Sequence, residues 1–302
     1  MADGLSKTAR HQTSSSAAGM AIVTIAAIAA IGCDVNSALE RLAQARHHSA
    51  ELHVQFTKAA AAANRAVMAD TDEASVAFAR DAEQAKRAVQ VNIDALQPIL
   101  LGLNYSEETR LLQEFVTRFA AYQELDGRIL GLAVENTNLK AQRLSFGPAQ
   151  EAADSFRDSL QAVVPLDAAK DTWRVKALVA TAVMTVREIQ VLQAPHVAEA
   201  DDAVMARMEK RMATSEAAAR SALGTLAPLV QPASRARLAT ATEALDTFMR
   251  LNAQILALSR RNTNVRSLVL SLNEKRKVTG ECEASLQALR DALAKRGYQG
   301  TR

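Results

Sequence analysis

Part of this chain is written twice. Ile129-Leu130-Gly131-Leu132, followed by Asn136-Thr137-Asn138, returns as Ile255-Leu256-Ala257-Leu258 followed by Asn262-Thr263-Asn264, an offset of 126 residues. The offset holds further on, where Leu144-Ser145-Phe146 matches Leu270-Ser271-Leu272 and Ser159-Leu160-Gln161-Ala162 matches Ser285-Leu286-Gln287-Ala288. Upstream, Leu96-Gln97-Pro98-Ile99-Leu100 matches Leu226-Ala227-Pro228-Leu229-Val230 at an offset of 130, as a few residues gained or lost in one loop would produce. A duplicated unit of this length must be found before any motif is weighed, because each copy has to bury its own apolar face.

The copies are helical by composition and by period. Gly and Pro number only 11 and 6, aromatics are 4% of residues, and the chain is rich in Ala, Leu, Glu, Arg and Lys, residues that lose little freedom in a helix. No run alternates apolar and polar residues between turn signals, so no sheet is expected. Core positions at helical spacing, such as Leu39, Leu42, Leu52, Phe56, Ala59 and Ala63, divide the first copy into four helices. Breaks fall at Asp70-Thr71-Asp72, at Gly102 to Tyr105 with Ser106 as N-cap, and at Asn136-Thr137-Asn138 with Asn138 as N-cap. A bend is expected at Gly147-Pro148. In the second copy the first helix stops at Pro195, Pro232 opens the third, and Asn264 caps the fourth. The expected fold is all-α, with two tandem antiparallel four-helix bundles of long helices over 37–165 and 166–297 and a tail at 298–302.

Ahead of the first bundle, residues 1–16 read as a disordered cytoplasmic or signal n-region and 17–36 as a hydrophobic helix. No charge occurs from Ala17 to Cys33, and Lys7 and Arg10 precede the run. Three readings stay open: a transmembrane anchor, a cleaved signal, and a lipoprotein signal on Ala30-Ile31-Gly32-Cys33. Each places the bulk of the chain in the periplasm, at the inner membrane if the run is an anchor. With 36 basic and 33 acidic residues interspersed, the chain has no concentrated basic face for nucleic acid. Two cysteines, Cys33 and Cys282, make no disulfide framework.

From Ile255 to Leu289 the text Ile-Leu-Ala-Leu-Ser-Arg-Arg-Asn-Thr-Asn-Val-Arg-Ser-Leu, then Cys-Glu-Ala-Ser-Leu-Gln-Ala-Leu, resembles the third-to-fourth helix hairpin of the four-helix-bundle sensory module of methyl-accepting chemotaxis receptors. The likeness covers most of residues 20–297. It implies an extracytoplasmic sensory, ligand-binding module of chemotaxis or two-component signalling, acting by a small shift in helix packing, with no enzymatic activity and no cofactor. It also implies a small organic acid or amino acid as ligand, and a homodimer or a chemoreceptor as partner. The duplication departs from the single bundle of that family. So does the absence of an apolar run after Leu293, which leaves the family's cytoplasmic signalling half without a counterpart. The alternative reading is a structural or adaptor bundle that binds partner helices and no small ligand.

Arg260, Arg261, Asn262, Asn264 and Arg266 cluster at the second Asn-Thr-Asn turn, and arginines suit a carboxylate ligand because the guanidinium fork matches it bidentately. The matching turn carries Glu135 in place of Arg261, and a solvated basic turn capping helices would read the same way. His47, His48 and His53 sit on one helix at spacings that put no pair on one face, so no metal site is expected. Asp126 and Asn252 align between the copies as polar seam residues, the kind that sets helix register. No phosphate loop, nucleophile elbow or zincin motif occurs.

Overall fold

The computed structural model describes residues 17–164 and 171–296, with the backbone alone over 17–36. Every regular element among the described residues is helical. The first copy holds α1 (Ala17–Val67), α2 (Asp72–Gly102), α3 (Ser106–Glu135), α4 (Thr137–Leu144) and α5 (Gln150–Gln161). The second holds α6 (Thr172–Ala198), α7 (Asp202–Leu226), α8 (Arg235–Arg261), α9 (Thr263–Leu270) and α10 (Arg276–Lys295). Pro195 does not stop α6, which runs three residues further to Ala198. In the last turn a missing N–H removes one hydrogen bond and leaves the helix standing.

The duplication is visible in backbone detail. Asn136 and Asn262 both take the left-handed conformation, at φ 50° and 53°. Nine residues after each lies a five-residue π-helical segment, Ser145–Ala149 and Ser271–Lys275. Gly147-Pro148 sits inside the first, where a bend was expected. The second has neither Gly nor Pro, so the widened turn belongs to this place in the fold and not to the proline.

Contacts divide the chain into two compact units, and neither follows the sequence boundary near residue 165. One unit takes residues up to Val54, Ala88–Val116 and Glu283 onward; the other takes Gln55–Arg87 and Thr117–Cys282. In the second unit, α4 and α5 join the helices of the second copy. They pack against α6 and α8, and Ala141, Ala149, Phe156 and Leu160 share one core with Val179, Val186, Leu226, Leu245 and Phe248. In exchange, Leu268, Leu270 and Val278 of the second copy pack on Val67, Leu125, Ile129 and Ala133 of the first. The fourth helix of each copy thus fills the other copy's core, and the hairpin expected at each Asn-Thr-Asn turn is a crossing. In the first unit, the Arg46 guanidinium donates to the Leu293 carbonyl at 3.2 Å, and Arg296 grips Glu108 at 2.7 and 2.8 Å over the ring of Tyr105.

One expectation is overturned. Among the described residues no helix is long and apolar enough to cross a membrane, so the inner-membrane anchor and the periplasmic placement built on it are withdrawn. A spanning helix needs ~20 consecutive apolar residues. From residue 37 on, apolar positions in this chain come as stripes between charged ones. Residues 17–36 belong to the unbroken α1, their side chains lie outside the described set, and the n-region at 1–16, Cys33 and the tail at 298–302 lie outside the description as well.

Candidate ligand-binding site

The Asn-Thr-Asn segments meet each other across a pseudo-twofold axis. The Thr137 N–H donates to Thr263 Oγ1 at 3.2 Å, and the Thr263 N–H donates to Thr137 Oγ1 at 3.1 Å. The Asn138 N–H donates to Asn264 Oδ1 at 3.1 Å, and the Asn264 N–H donates to Asn138 Oδ1 at 3.2 Å. The first N–H groups of a helix have no partner inside it. Here each copy supplies the other's missing acceptor, so Asn138 and Asn264 cap in exchange rather than each capping its own helix, as the sequence led one to expect.

This joint absorbs most of the arginine cluster. Arg260 holds Glu209 bidentately, at 2.7 and 2.9 Å, and reaches Asp202 Oδ1 at 3.2 Å. Arg261 pairs with Glu135, its own counterpart in the other copy, at 2.8 Å. Asn262 donates to the Glu199 carbonyl, and Asn264 to Asn136 Oδ1. Arg266 is exposed. Four of the five residues proposed to grip a ligand are therefore committed to holding the crossing. Beside them, His196 Nδ1 meets Ser259 Oγ at 2.8 Å, and His196 Nε2 meets Glu209 Oε1 at 2.9 Å. The Ser259 hydroxyl donates to the His196 carbonyl at 2.8 Å. Ser259 and His196 are fully buried and tie α6 to α8. Arg260 holds the Glu209 carboxyl below its ordinary range.

A second polar centre lies in the same unit, around Asp126. Lys86 Nζ donates to Asp126 Oδ2 at 2.8 Å and pairs with Glu83 at 2.7 Å. Lys275 Nζ lies 2.8 Å from Asp126 Oδ1, at ion-pair distance but outside hydrogen-bond geometry, and the Tyr122 hydroxyl nearby makes no hydrogen bond. Asp126 and Tyr122 are fully buried, and Lys275 is 2% exposed. Burial pushes the Lys275 ammonium down. It works the same way on Lys86, but there the hydrogen bonds to Asp126 and Glu83 prevail and the group is pushed up. Burial, reinforced by Asp126, raises the Tyr122 phenol.

At the same offset of 126, the other copy has a neutral layer: Met212 for Lys86, Asn252 for Asp126, Ala149 for Lys275 and Phe248 for Tyr122. There Gln193 donates to Asn252 Oδ1 at 2.9 Å and receives Ser145 Oγ at 2.7 Å. Alignment of Asp126 with Asn252 marked both layers in the sequence. The lysines were missed, because a Lys at a seam position in a helix reads as surface.

The charge chain opens on a groove. Arg80, Glu83 and Arg87 of α2 and Gly127, Leu130 and Gly131 of α3 line a cavity of about 480 Å³. Arg80, Glu83 and Arg87 are exposed, and nothing stands within 4 Å of where a Cβ would lie on Gly127 or Gly131. The corresponding groove of the other copy, about 540 Å³, has Glu209 for Glu83 but Ala213 for Arg87 and Ala253 for Gly127.

The histidines of α1 serve locally: His48 meets Asn92 Oδ1 at 3.0 Å, His53 meets Arg290 at 3.2 Å, and His47 packs edge-on against His48. Among the described residues no three metal-ligating side chains converge. Compared with known proteins, the chain matches no family model and no curated protein.

Proposed function

We propose that this chain is a non-enzymatic sensory module of the chemoreceptor type, made of two four-helix bundles that exchange their fourth helices. The α2–α3 groove takes an amino acid or small organic acid. Arg80 and Arg87 hold the ligand carboxylate, and Glu83 between them receives an amino group where there is one.

One observation carries the reading. A chain of charge contacts runs from Glu83 at the groove to Lys86, to Asp126 on α3, and to Lys275 just before α10, with steps of 2.7, 2.8 and 2.8 Å. A ligand that draws Glu83 away leaves Lys86 to Asp126 alone and changes what Asp126 can offer Lys275. The helix packing around α10 is thereby biased, and the ligand acts through its differential affinity for two packings. A stability role explains the layer less well, since buried ion pairs seldom outdo an apolar replacement and the other copy packs without one.

The test is thermal unfolding of the full chain with amino acids and organic acids at millimolar concentration. A ligand at ~100 times its Kd should stabilise the chain by about 2.7 kcal/mol. Arg80→Ala/Arg87→Ala should abolish the shift without lowering the unliganded melting point, because both side chains are exposed. No shift with any ligand, or one that survives the double substitution, overturns the proposal.

A further inference from the structure

Arg46 and Ser49 lie one turn apart on α1, and Gln287, Arg290 and Asp291 lie one turn apart on α10. Within the first unit these residues line a cavity of about 540 Å³. Arg46 donates to the Leu293 carbonyl at 3.2 Å and the Ala294 carbonyl at 3.3 Å, and Arg290 Nη1 donates to His53 Nδ1 at 3.2 Å. Among the described residues neither guanidinium meets a carboxylate, so both keep an unmatched charge and N–H groups to spare. Ser49 is 1% exposed, and its hydroxyl has no hydrogen-bond partner among the described residues. A buried polar atom without a partner is rare in a folded chain. This one stands at the wall of a cavity that two unpaired cations share.

We infer that the cavity binds hydrogen phosphate. Two guanidinium groups match the double negative charge of the ion. Its tetrahedral oxygens take donors that arrive from separate helices, Arg46 and the Ser49 hydroxyl from α1 and Arg290 from α10. Asp291 decides among anions. Its Oδ1 accepts from Gln287 Nε2 at 2.8 Å, so the carboxylate lies at the cavity as an acceptor. An acceptor beside an anion repels it unless the anion brings a proton of its own. Hydrogen phosphate has a P–OH to donate to Asp291. Sulfate, a carboxylate and the dianion of a phosphomonoester have none. A cavity of this size holds the ion with bridging waters. Bound there, the ion ties α10 to α1.

The inference stands without the ligand reading, since Arg80 and Arg87 of the groove belong to the other unit. Titration calorimetry of the full chain at about pH 8 and constant ionic strength should give a Kd below about 1 mM for inorganic phosphate. Sulfate and glycerol phosphate should each bind at least about tenfold more weakly. Ser49→Ala should weaken phosphate about tenfold and leave the urea midpoint unchanged or higher, because it removes an orphaned group. Arg290→Gln should abolish binding with the fold intact, since the side chain is exposed. Asp291→Asn, which can donate to the anion, should bring sulfate level with phosphate. Arg80→Ala/Arg87→Ala should leave phosphate binding as it is. Absence of phosphate binding, equal affinity for sulfate in the unsubstituted chain, or full affinity in Ser49→Ala or Arg290→Gln overturns the inference. So does sulfate discrimination that survives Asp291→Asn, or phosphate binding lost with the groove arginines.

Discussion

Asn136 and Asn262 hold a backbone conformation that most side chains resist, and they hold it where two helices must start again in a new direction. The residues after them supply what the restart lacks. Thr137 and Thr263 each give a hydroxyl oxygen to the other's N–H, and their own hydroxyls lie 3.2 Å apart. Thr137→Val therefore orphans a buried N–H of the other copy and should lower stability by about 1–2 kcal/mol. Thr263→Val should do the same. The double variant should lose clearly less than the sum, because each substitution already removes part of what the other would. A urea double-mutant cycle reads this directly, and simple additivity would contradict the exchanged geometry.

Acid sensitivity also belongs to single residues. Arg296 holds Glu108, and Arg260 holds Glu209, below the usual carboxylate range. A carboxyl with a lower pKa in the folded state than in the unfolded adds stability in full above its unfolded value near 4.5, and loses it as pH falls through the depressed folded value. Urea midpoints should fall as pH drops from about 6 to 3. Glu108→Gln, which has nothing to protonate at this position, should fall less steeply over that range.

At the scale of elements, the two polar layers are a built-in comparison. The same four-helix geometry carries Lys86, Asp126 and Lys275 in one place and Met212, Asn252 and Ala149 in the other. Asp126→Asn alone strips the compensation from Lys275 and should lower stability by about 3–5 kcal/mol. The triple variant Lys86→Met/Asp126→Asn/Lys275→Ala writes the neutral layer into the ionic site. It should be neutral or gain about 1–4 kcal/mol, as apolar replacements of buried ion networks often do. Chemical denaturation of the two variants separates the cases, and equal destabilisation would mean that the ionic layer is needed for packing itself. Asp126 and Asn252 stood out in the sequence as aligned polar seam residues. Lys275 did not, since its burial follows from the π-helical segment that ends on it, and no propensity marks a π-helix in advance.

At the scale of the molecule, exchange of the fourth helices decides which pieces can stand alone. Residues 137–261 hold α4 to α8, and these helices share one core. That fragment should fold by itself, with a cooperative thermal transition. The second copy in chain order, 172–296, lacks α4 and α5, leaves the inner faces of α6 and α8 uncovered, and should unfold without cooperativity. The reverse result would restore the chain-order division.

What the sequence determined by itself is local: helices, their approximate ends, and two copies of one pattern. Helical period, breakers and self-likeness lie within a few turns of chain, and the 126-residue offset reappears in paired left-handed asparagines and paired π-helical segments. Partnership was decided only in three dimensions. The fourth helices space their core positions alike, with Leu160 matching Leu286 and Phe156 matching Cys282, and that spacing by itself names no partner core. The choice rests on the direction in which one left-handed residue sends the chain and on hydrogen bonds between residues 126 apart. The arginines beside the joint looked free to bind because their partners, Glu135 and Glu209, are distant in the sequence, and Glu135 belongs to the other copy.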